Sequence, residues 1–228
     1  MRIPILAGGL LAAALVAACT DTVPMPNGSV SLGIVNALTA TGAQLKVDQA
    51  AITLPAIGQA VSVLVAPGAH HLQLNSSTGA SLVDTNVSVS PGGHQTVVLT
   101  GPGAVSVATD TNTTNPGDGG GYKSIVGSVL MVNAAPGTGP FDVVVYQANS
   151  DSVYHFGGFS YGAGSQPPPA PYGYYIPFVP ATYTFTIAAP GGTTALASTQ
   201  LTLATDDKWT VMLTRSIEGD LVLQAVKQ

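Results

Sequence analysis

The sequence predicts an all-β protein made of two tandem antiparallel β-sandwich modules. Three observations lead to this fold class: apolar side chains recur at every second position after residue 20, Pro and Gly punctuate the chain at short intervals, and most of the chain occurs twice in related form. Helical periodicity is almost absent from the same residues. β-Branched residues dominate the alternating stretches, as they do in strands that bury one face.

The first nineteen residues predict export and lipid attachment. Arg2 gives a positive start, and residues 3–18 form an apolar segment that is too short for a comfortable membrane span, as in a signal peptide. The sequence Leu-Val-Ala-Ala-Cys at 15–19 resembles a bacterial lipobox, which implies that Cys19 becomes the lipidated first residue anchored in the membrane. Asp21 does not occupy the position of an inner-membrane retention signal, which favours the outer membrane. An ordinary secretory signal with an incidental Cys is the alternative.

Composition limits how the protein is stabilised and what it binds. The chain has one Cys, so no intrachain disulfide forms and the core must hold the fold together. Only six residues are Lys or Arg and they do not cluster, so nucleic acid is excluded as a partner. Ser, Thr, Asn and Gly supply the polar surface instead of charge, which is typical of extracytoplasmic β-proteins, and no cofactor is expected.

The stretch 181–189 shows the strand pattern most clearly. Its two faces carry different chemistry: Tyr183, Phe185 and Ile187 on one, Thr182, Thr184 and Thr186 on the other. The stretches 94–100 and 208–213 show the same alternation at matching positions. Each of these stretches is therefore expected to be a strand with one buried face.

An internal duplication sets the architecture. The related segments are 29–38 with 127–136, 65–74 with 178–187, and 82–100 with 196–214. Pro67 falls on Pro180 in this alignment. Each unit has seven or eight short strands over roughly 80 to 100 residues, the size of an immunoglobulin- or transthyretin-like β-sandwich. The predicted organisation is a signal peptide at 1–18, a tether at 19–28, a first module at 29–110, a Gly/Asn/Thr-rich linker at 111–123, and a second module at 124–228 with an aromatic, Pro/Gly-rich insertion at 150–177.

One stretch of the second unit carries a family resemblance. Residues 132–146, VNAAPGTGPFDVVVY, are similar to the opening signature of the bacterial domain of unknown function 4397, in which a strand, a Pro-bearing turn and a second strand led by Asp follow one another. Asp142 matches the leading Asp, and Asn133 replaces the usual His. The resemblance implies an extracytoplasmic β-sandwich module, often in tandem, without an established activity.

The pattern Gly-Phe-Ser-Tyr-Gly at 158–162 resembles the G-x-S-x-G of serine hydrolases. Such a Ser160 nucleophile needs a helix after it and a His later in the chain. The residues that follow are rich in Pro and Gly, which break helices, and no His occurs after His155. Catalysis by Ser160 is therefore disfavoured, and the protein is not expected to be an enzyme.

No metal site is expected from the histidines. His70 and His71 are adjacent on a predicted strand, so their side chains point to opposite faces and cannot both bind one ion. His94 and His155 are isolated. The spacings of zinc sites are missing.

The sequence predicts that the aspartates act as turn residues and not as catalytic groups. Asp206 and Asp207 precede a predicted strand, where Asp favours tight turns, and a calcium site at this pair is the alternative. Asp142 is expected to fix the preceding turn at 136–140 by accepting backbone N–H bonds.

The insertion concentrates aromatic side chains. The candidate binding platform consists of Tyr154, Phe159, Tyr161 and Tyr172, on loops at one end of the second module. Packing of these rings inside the fold is the competing interpretation. For the residues 174–178, two ways of re-entering the sheet stay open: Tyr174 with Ile176, or Tyr175 with Phe178.

The function expected from the sequence is that of a non-catalytic binding module for a protein or a glycan at the bacterial envelope. The alternative is a structural spacer or surface-layer component, and a hydrolase that uses Ser160 comes third.

Overall fold

Every regular element in the described part of the chain is a β-strand. The computed structural model describes residues 28–38, 42–91, 94–101, 104–110, 126–151, 153–161, 173–216 and 218–228. The predicted all-β class is confirmed. Within these ranges, no helix has the length and apolar character needed to cross a membrane. Cys19 and the predicted signal peptide lie outside the described residues.

The N-terminal half of the described chain contains eight strands. They are β1 (Val30–Asn36), β2 (Gln44–Val47), β3 (Ala50–Ile52), β4 (Gln59–Val65), β5 (Gly68–Asn75), β6 (Ser81–Val89), β7 (His94–Gly101) and β8 (Ala104–Asp110). The C-terminal half contains the other described strands. They are β9 (Gly127–Asn133), β10 (Phe141–Gln147), β11 (Val153–Phe159), β12 (Gly173–Tyr174), β13 (Ile176–Phe178), β14 (Ala181–Ala188), β15 (Ala197–Leu203), β16 (Lys208–Arg215) and β17 (Leu221–Lys227).

The strands form four sheets with a repeated order. Sheet A runs β12-β8-β7-β1-β4 and sheet B runs β3-β2-β5-β6; sheet C runs β13-β9-β16-β17 and sheet D runs β11-β10-β14-β15. β1 pairs with β7 in parallel, and β9 pairs with β16 in parallel. Asn36 lies opposite Leu99 in the first pair, and Asn133 lies opposite Leu213 in the second. The duplication seen in the sequence therefore extends to strand pairing and register.

Each half has its own apolar core, with a different composition. The N-terminal core lies between sheets A and B and is aliphatic throughout, with Leu32, Ile34, Leu72 and Leu74 at its centre. The C-terminal core, between sheets C and D, is built around Phe159, Phe178, Tyr183 and Phe185. The predicted inward face of 181–189 is confirmed, because Tyr183, Phe185 and Ile187 are all fully buried.

A third apolar cluster joins the two halves. It brings Val35, Ala37 and Val98 of sheet A against Leu130, Val132, Ala134, Met212 and Val226 of the C-terminal half. The central strands of sheets A and C therefore have both faces covered, and all seven residues of β9 are buried. This explains why the β1 and β9 sequences are nearly continuous apolar runs instead of alternating ones.

The range 150–177, predicted as an insertion, contributes strands to three sheets. Residues 153–159 form β11, which pairs with β10 in sheet D. β13 pairs with only three residues of β9, whereas β4 pairs with the whole of β1 in the N-terminal half. β12 leaves its own half and adds to sheet A, with Gly173 opposite Ala108 of β8.

Candidate functional site

The predicted aromatic platform is not assembled in the described residues. Phe159 is only 6 % exposed and packs in the C-terminal core, so the platform prediction is wrong for this residue. Its place at the end of β11, opposite Phe141, turns the ring inward. Tyr154 is 38 % exposed, and its ring meets the ring of Phe178 edge-on, with 5.5 Å between centroids. Tyr172 lies outside the described residues.

Tyr161 and Tyr175 connect the halves instead of facing a ligand. The half-buried Tyr161 donates its hydroxyl to the Thr100 carbonyl, 3.3 Å away in the N-terminal half. A Cβ at Gly101 would overlap the Tyr161 hydroxyl, so a larger residue there would displace this hydrogen bond. The buried Tyr175 hydroxyl lies 2.6 Å from Thr96 Oγ1.

Gln228 extends this polar contact into the C-terminal half. Thr96 Oγ1 is 2.8 Å from Gln228 Oε1, and Gln228 Nε2 donates to Thr210 Oγ1 at 2.5 Å. Tyr175, Thr96, Gln228 and Thr210 thus form a hydrogen-bonded chain within the apolar contact of sheets A and C. Hydrogen bonds in such surroundings fix the register of the two faces, because losing one leaves a polar group unpaired.

Ser160 does not lie in the setting of a hydrolase nucleophile. It follows β11, and its hydroxyl donates to the Gly158 carbonyl at 3.3 Å. Gly158 has a φ of +73°, which suits a glycine at the end of a strand. His155 is exposed on β11, and no bond between Ser160 and a histidine is found within the part of the chain that the structure describes.

The two adjacent histidines face opposite ways, as predicted, and each meets an aspartate. His70 Nδ1 lies 2.5 Å from Asp48 Oδ2, and its Nε2 lies 2.6 Å from the Ala66 carbonyl oxygen. His71 Nε2 lies 2.6 Å from Asp84 Oδ1. Burial lowers the pKa of His70, but its hydrogen bonds to Asp48 and Ala66 and the charge of Asp48 together raise that pKa above 6.5. The sequence did not predict these pairs, because the partners are many residues apart along the chain.

The aspartates act through backbone geometry. Asp206 has a φ of +63°, and Asp207 accepts the Ala204 N–H at 3.0 Å, so their predicted turn role is confirmed. Asp207 also pairs with Lys227 Nζ at 2.7 Å. Asp142 accepts the Gly191 N–H at 2.8 Å and fixes the β14–β15 connection, so the predicted bond to the 136–140 turn is replaced by a different one. Within the described ranges, no group of three or more His, Cys, Asp or Glu is arranged to hold a metal ion.

A groove of about 550 Å³ opens at one end of the N-terminal half. Its walls are mainly aliphatic: Asn36, Gly42, Ala43, Gln44, Leu45, Lys46, Ala51, Ile52, Thr53, Leu54, Pro55 and Ala56. It forms where the short β3 ends and the chain diverges from β2 towards β4. The sequence did not predict this groove, because the groove depends on where the short β3 ends and no sequence motif marks that point.

The same place in the C-terminal half is filled by phenylalanine rings. Leu45 pairs with Leu74 and Val143 pairs with Ile187, so Ala43 and Phe141 occupy equivalent positions two residues earlier. Ile52 pairs with Leu45 as Phe156 pairs with Val143.

Two asparagines complete the correspondence. Asn36 Nδ2 donates to the Pro55 carbonyl and Asn133 Nδ2 donates to the Phe159 carbonyl, which makes Pro55 the counterpart of Phe159. Ala43, Ile52 and Pro55, which line the N-terminal groove, therefore correspond to Phe141, Phe156 and Phe159, whose rings pack in or against the C-terminal core.

Comparison with known proteins adds little to this description. No family model matches the chain, and no curated protein matches it. Among solved structures, the chain is similar to a leucine-rich repeat protein from Bacteroides thetaiotaomicron, with 11 % sequence identity and a TM-score of 0.20. The match covers 86 % of this chain and 26 % of that protein. A TM-score this low carries no argument about fold or function.

Proposed function

We propose that the chain is a lipid-anchored protein of the bacterial envelope whose two immunoglobulin/transthyretin-like β-sandwich modules form a non-catalytic binding module. The repeated sheet order and the two separate cores support a tandem pair. The resemblance of residues 132–146 to the domain of unknown function 4397 points the same way. The lipobox-like sequence before Cys19 supports the anchor, with residues 19–28 as a tether that spans up to roughly 35 Å when extended.

The groove of the N-terminal half carries the proposal. A concave, mainly apolar site with a few polar groups at its rim is the usual form of a binding site. Among the described residues, its walls hold no aromatic ring on which a sugar could stack, which favours a protein partner over a glycan. The phenyl rings that fill the equivalent space in the other half indicate the occupant: an aromatic side chain presented by a partner's peptide segment.

A filling substitution tests this function. Titration with N-acetyl-phenylalanine amide, followed by two-dimensional NMR, should shift the backbone signals of residues 42–46 and 51–56. Ala43→Phe places a ring where Phe141 lies in the other half and should abolish those shifts. Ala69→Phe is the matched control, since Ala69 is exposed on β5 and does not line the groove. Groove signals that stay unshifted at millimolar probe, or that still shift in Ala43→Phe, would refute the proposed site.

A spacer is the second candidate function, supported by the contact between the halves. The cluster around Val98, Leu130 and Met212 joins sheets A and C through apolar packing, which suits a stiff element that holds something away from the membrane. On this alternative, Ala43→Phe leaves every envelope phenotype unchanged. Either function needs the anchor, so Cys19→Ser should remove acyl labelling and membrane retention. Retained labelling in Cys19→Ser would rule out lipid attachment at this residue.

A further inference from the structure

A strained hairpin forms one wall of the groove. β2 and β3 are joined by Asp48 and Gln49, which have φ of +49° and +70°. A non-glycine residue in this left-handed region costs about 1 kcal/mol or more, so the turn needs compensating bonds. β3 adds little support, because it is three residues long and pairs only with β2.

Asp48 supplies those bonds by attaching the turn to β5. Its backbone N–H donates to the His71 carbonyl at 2.9 Å, and its Oδ1 accepts the His71 N–H at 2.8 Å. Its Oδ2 faces His70 Nδ1. The three contacts place the hairpin turn against the start of β5, next to the connection that crosses from sheet A to sheet B.

The surroundings of His70 require both ring nitrogens to carry a proton. Nδ1 faces the Asp48 carboxylate and Nε2 faces the Ala66 carbonyl oxygen, and neither oxygen has a proton to donate at neutral pH. A neutral imidazole has a single N–H. It can therefore satisfy the carboxylate or the carbonyl, but not both, while the side chain stays about nine-tenths buried.

In the C-terminal half, the position equivalent to His70 is occupied by an uncharged hydrogen-bond donor. Tyr183 is the counterpart of His70 in the repeat, and its hydroxyl donates to the carbonyl of Val179, the counterpart of Ala66, at 2.9 Å. Tyr183 makes that bond as a neutral donor, and burial raises its pKa above 10.0. The N-terminal half thus has a titratable donor where the C-terminal half has one that is constant over the physiological range.

We propose that protonated His70 is a pH-sensitive latch that joins the β2–β3 turn to the β4–β5 connection and so holds the groove wall in place. Its effect on ligand binding rests on the proposed function of the groove, whereas the latch itself does not. Loss of the proton removes one of the two bonds of the His70 ring and so weakens the attachment of the turn, which then depends on the two bonds between Asp48 and the His71 backbone. An envelope protein meets the pH of its surroundings more directly than a cytoplasmic one, so such a latch would respond to it.

Among the side chains that the structure describes, few other ionisable groups lie near the ring. Asp48 is the one on the turn, and Asp84 of β6 bonds His71 on the other face of sheet B. β1 and β4 of sheet A contain no ionisable residue. His94 begins β7 at the same end of the half; its side chain lies outside the described part of the chain.

The sign of the effect follows from the raised pKa of His70. Stabilisation by the latch is complete below about pH 6.5 and is lost as pH rises through the higher folded-state value. The neighbouring carboxylate limits it on the acid side: hydrogen bonds from His70 and His71 lower the pKa of Asp48 below 3.8, so its contribution is lost only as pH falls through that lower value. The latch is therefore closed in mildly acidic solution and opens towards alkaline pH.

Nitrogen-15 NMR of the histidine rings and amide hydrogen exchange, both on the full mature chain, test the latch directly. At pH 6, His70 should show two ring N–H groups, and it should titrate above 6.5. The protection factor of the His71 amide, which donates to Asp48, should fall roughly tenfold between pH 6 and pH 9. A single ring N–H at pH 6, titration at or below 6.5, or constant protection would overturn the latch.

Two variants separate the latch from general destabilisation. Asp48→Asn keeps an acceptor for the His71 amide but removes the charge, and His70→Tyr installs the non-titrating donor of the other half. Protection should be pH-independent from 6 to 9 in both. Asp84→Asn is the matched control at the exposed pair of His71 and Asp84, and it should leave the pH dependence of the hairpin intact. If Asp84→Asn instead removes that pH dependence, the effect belongs to His71 and the proposal is overturned.

Binding of N-acetyl-phenylalanine amide tests the link to function separately. Its affinity should weaken at pH 9 in the native chain and not in His70→Tyr. A latch that titrates as described while the probe binds nowhere leaves the latch standing and refutes the groove. Binding that is the same at both pH values refutes the regulation alone.

Discussion

The two halves of the chain share a sheet order and differ in how they fill space. In the N-terminal half, aliphatic side chains form the core, β4 covers β1 completely and a groove stays open. In the C-terminal half, phenylalanine and tyrosine fill the core and the groove, and the strand equivalent to β4 is divided between β13 and β12. The same strand arrangement therefore differs in two ways between the halves. The N-terminal half has an open groove, and in the C-terminal half part of the edge strand, β12, pairs with sheet A of the other half.

The largest expected effect comes from removing an aromatic core residue. Phe185 and Leu72 are counterparts, each essentially buried at the centre of its half. Phe185→Ala should lower the free energy of unfolding by roughly 3 to 5 kcal/mol, and Leu72→Ala by roughly 2 to 5, because the larger ring leaves the larger cavity. Urea unfolding followed by circular dichroism measures both. A smaller cost for Phe185→Ala than for Leu72→Ala would contradict the expectation that the larger ring leaves the more costly cavity.

The next effect concerns the contact between the halves. Met212 is fully buried in that contact, whereas Met131, on the neighbouring strand, points into the C-terminal core. Each change to Ala should cost roughly 2 to 5 kcal/mol. Of these two variants, only Met212→Ala should separate the unfolding of the two halves, because Met212 belongs to the cluster that joins sheets A and C and Met131 belongs to the C-terminal core.

Fluorescence distinguishes these outcomes. The chain has one tryptophan, Trp209, and it packs against the C-terminal core. Fluorescence therefore follows one half, while circular dichroism follows both. The two transitions should coincide in the native chain and in Met131→Ala and diverge in Met212→Ala. Diverging transitions in the native chain would show that the halves are uncoupled from the start.

Alternation and duplication in the sequence were sufficient to predict the strands at 94–100, 181–189 and 208–213 and the repeat that relates the two halves. Val97 and Leu99 are buried where their counterparts in 208–213 are buried, and Pro67 and Pro180 occupy equivalent connections. The contact between the halves was not predicted, although the sequence carried a signal for it. The runs at 34–38 and 129–135 are largely apolar on both faces, which indicates burial on both faces.

The candidate sites were harder to predict, for physical reasons. Gly157 and Gly158 suggested a loop, yet a change of register between Phe141 and Val143 lets residues 153–159 pair as a strand and bury Phe159. The His70 latch depends on Asp48, which is 22 residues away and adjacent only after β2 and β5 have paired. The groove depends on the length of β3, and strand ends are decided by packing that a sequence pattern does not contain.

A smaller effect tests the paired asparagines. Asn133 Oδ1 accepts the Ala135 N–H at 3.0 Å, as Asn36 Oδ1 accepts the Leu38 N–H at 2.9 Å. Replacing either with Ala should cost about 1 to 3 kcal/mol, since buried backbone groups lose their partners. Asn133→Ala should cost more, because Asn133 also accepts a bond from Thr138. Thermal unfolding of the two variants compares them, and a larger loss in Asn36→Ala would reverse the ranking.

The smallest expected effect lies in the turn that leads into β16, where the N-terminal half has two glycines. The hydrogen bond from Lys227 is the main cause that lowers the pKa of Asp207 below 3.8, and it outweighs the opposing effect of burial. The ionised carboxylate therefore stabilises the fold above about pH 4, and that stabilisation is lost as pH falls through the lowered value. Because Lys227 is more than half exposed, solvent screens the pair and Asp207→Asn should cost less than about 1 kcal/mol at pH 7. The variant should also show a flatter loss of stability between pH 4 and pH 2 than the native chain, measured by urea unfolding at each pH.

Asp206→Asn is the control, since Asn also adopts the left-handed conformation of that residue, and it should leave the loss of stability between pH 4 and pH 2 unchanged. An equal flattening in both variants would place the acid sensitivity in the turn as a whole instead of in the Asp207–Lys227 pair.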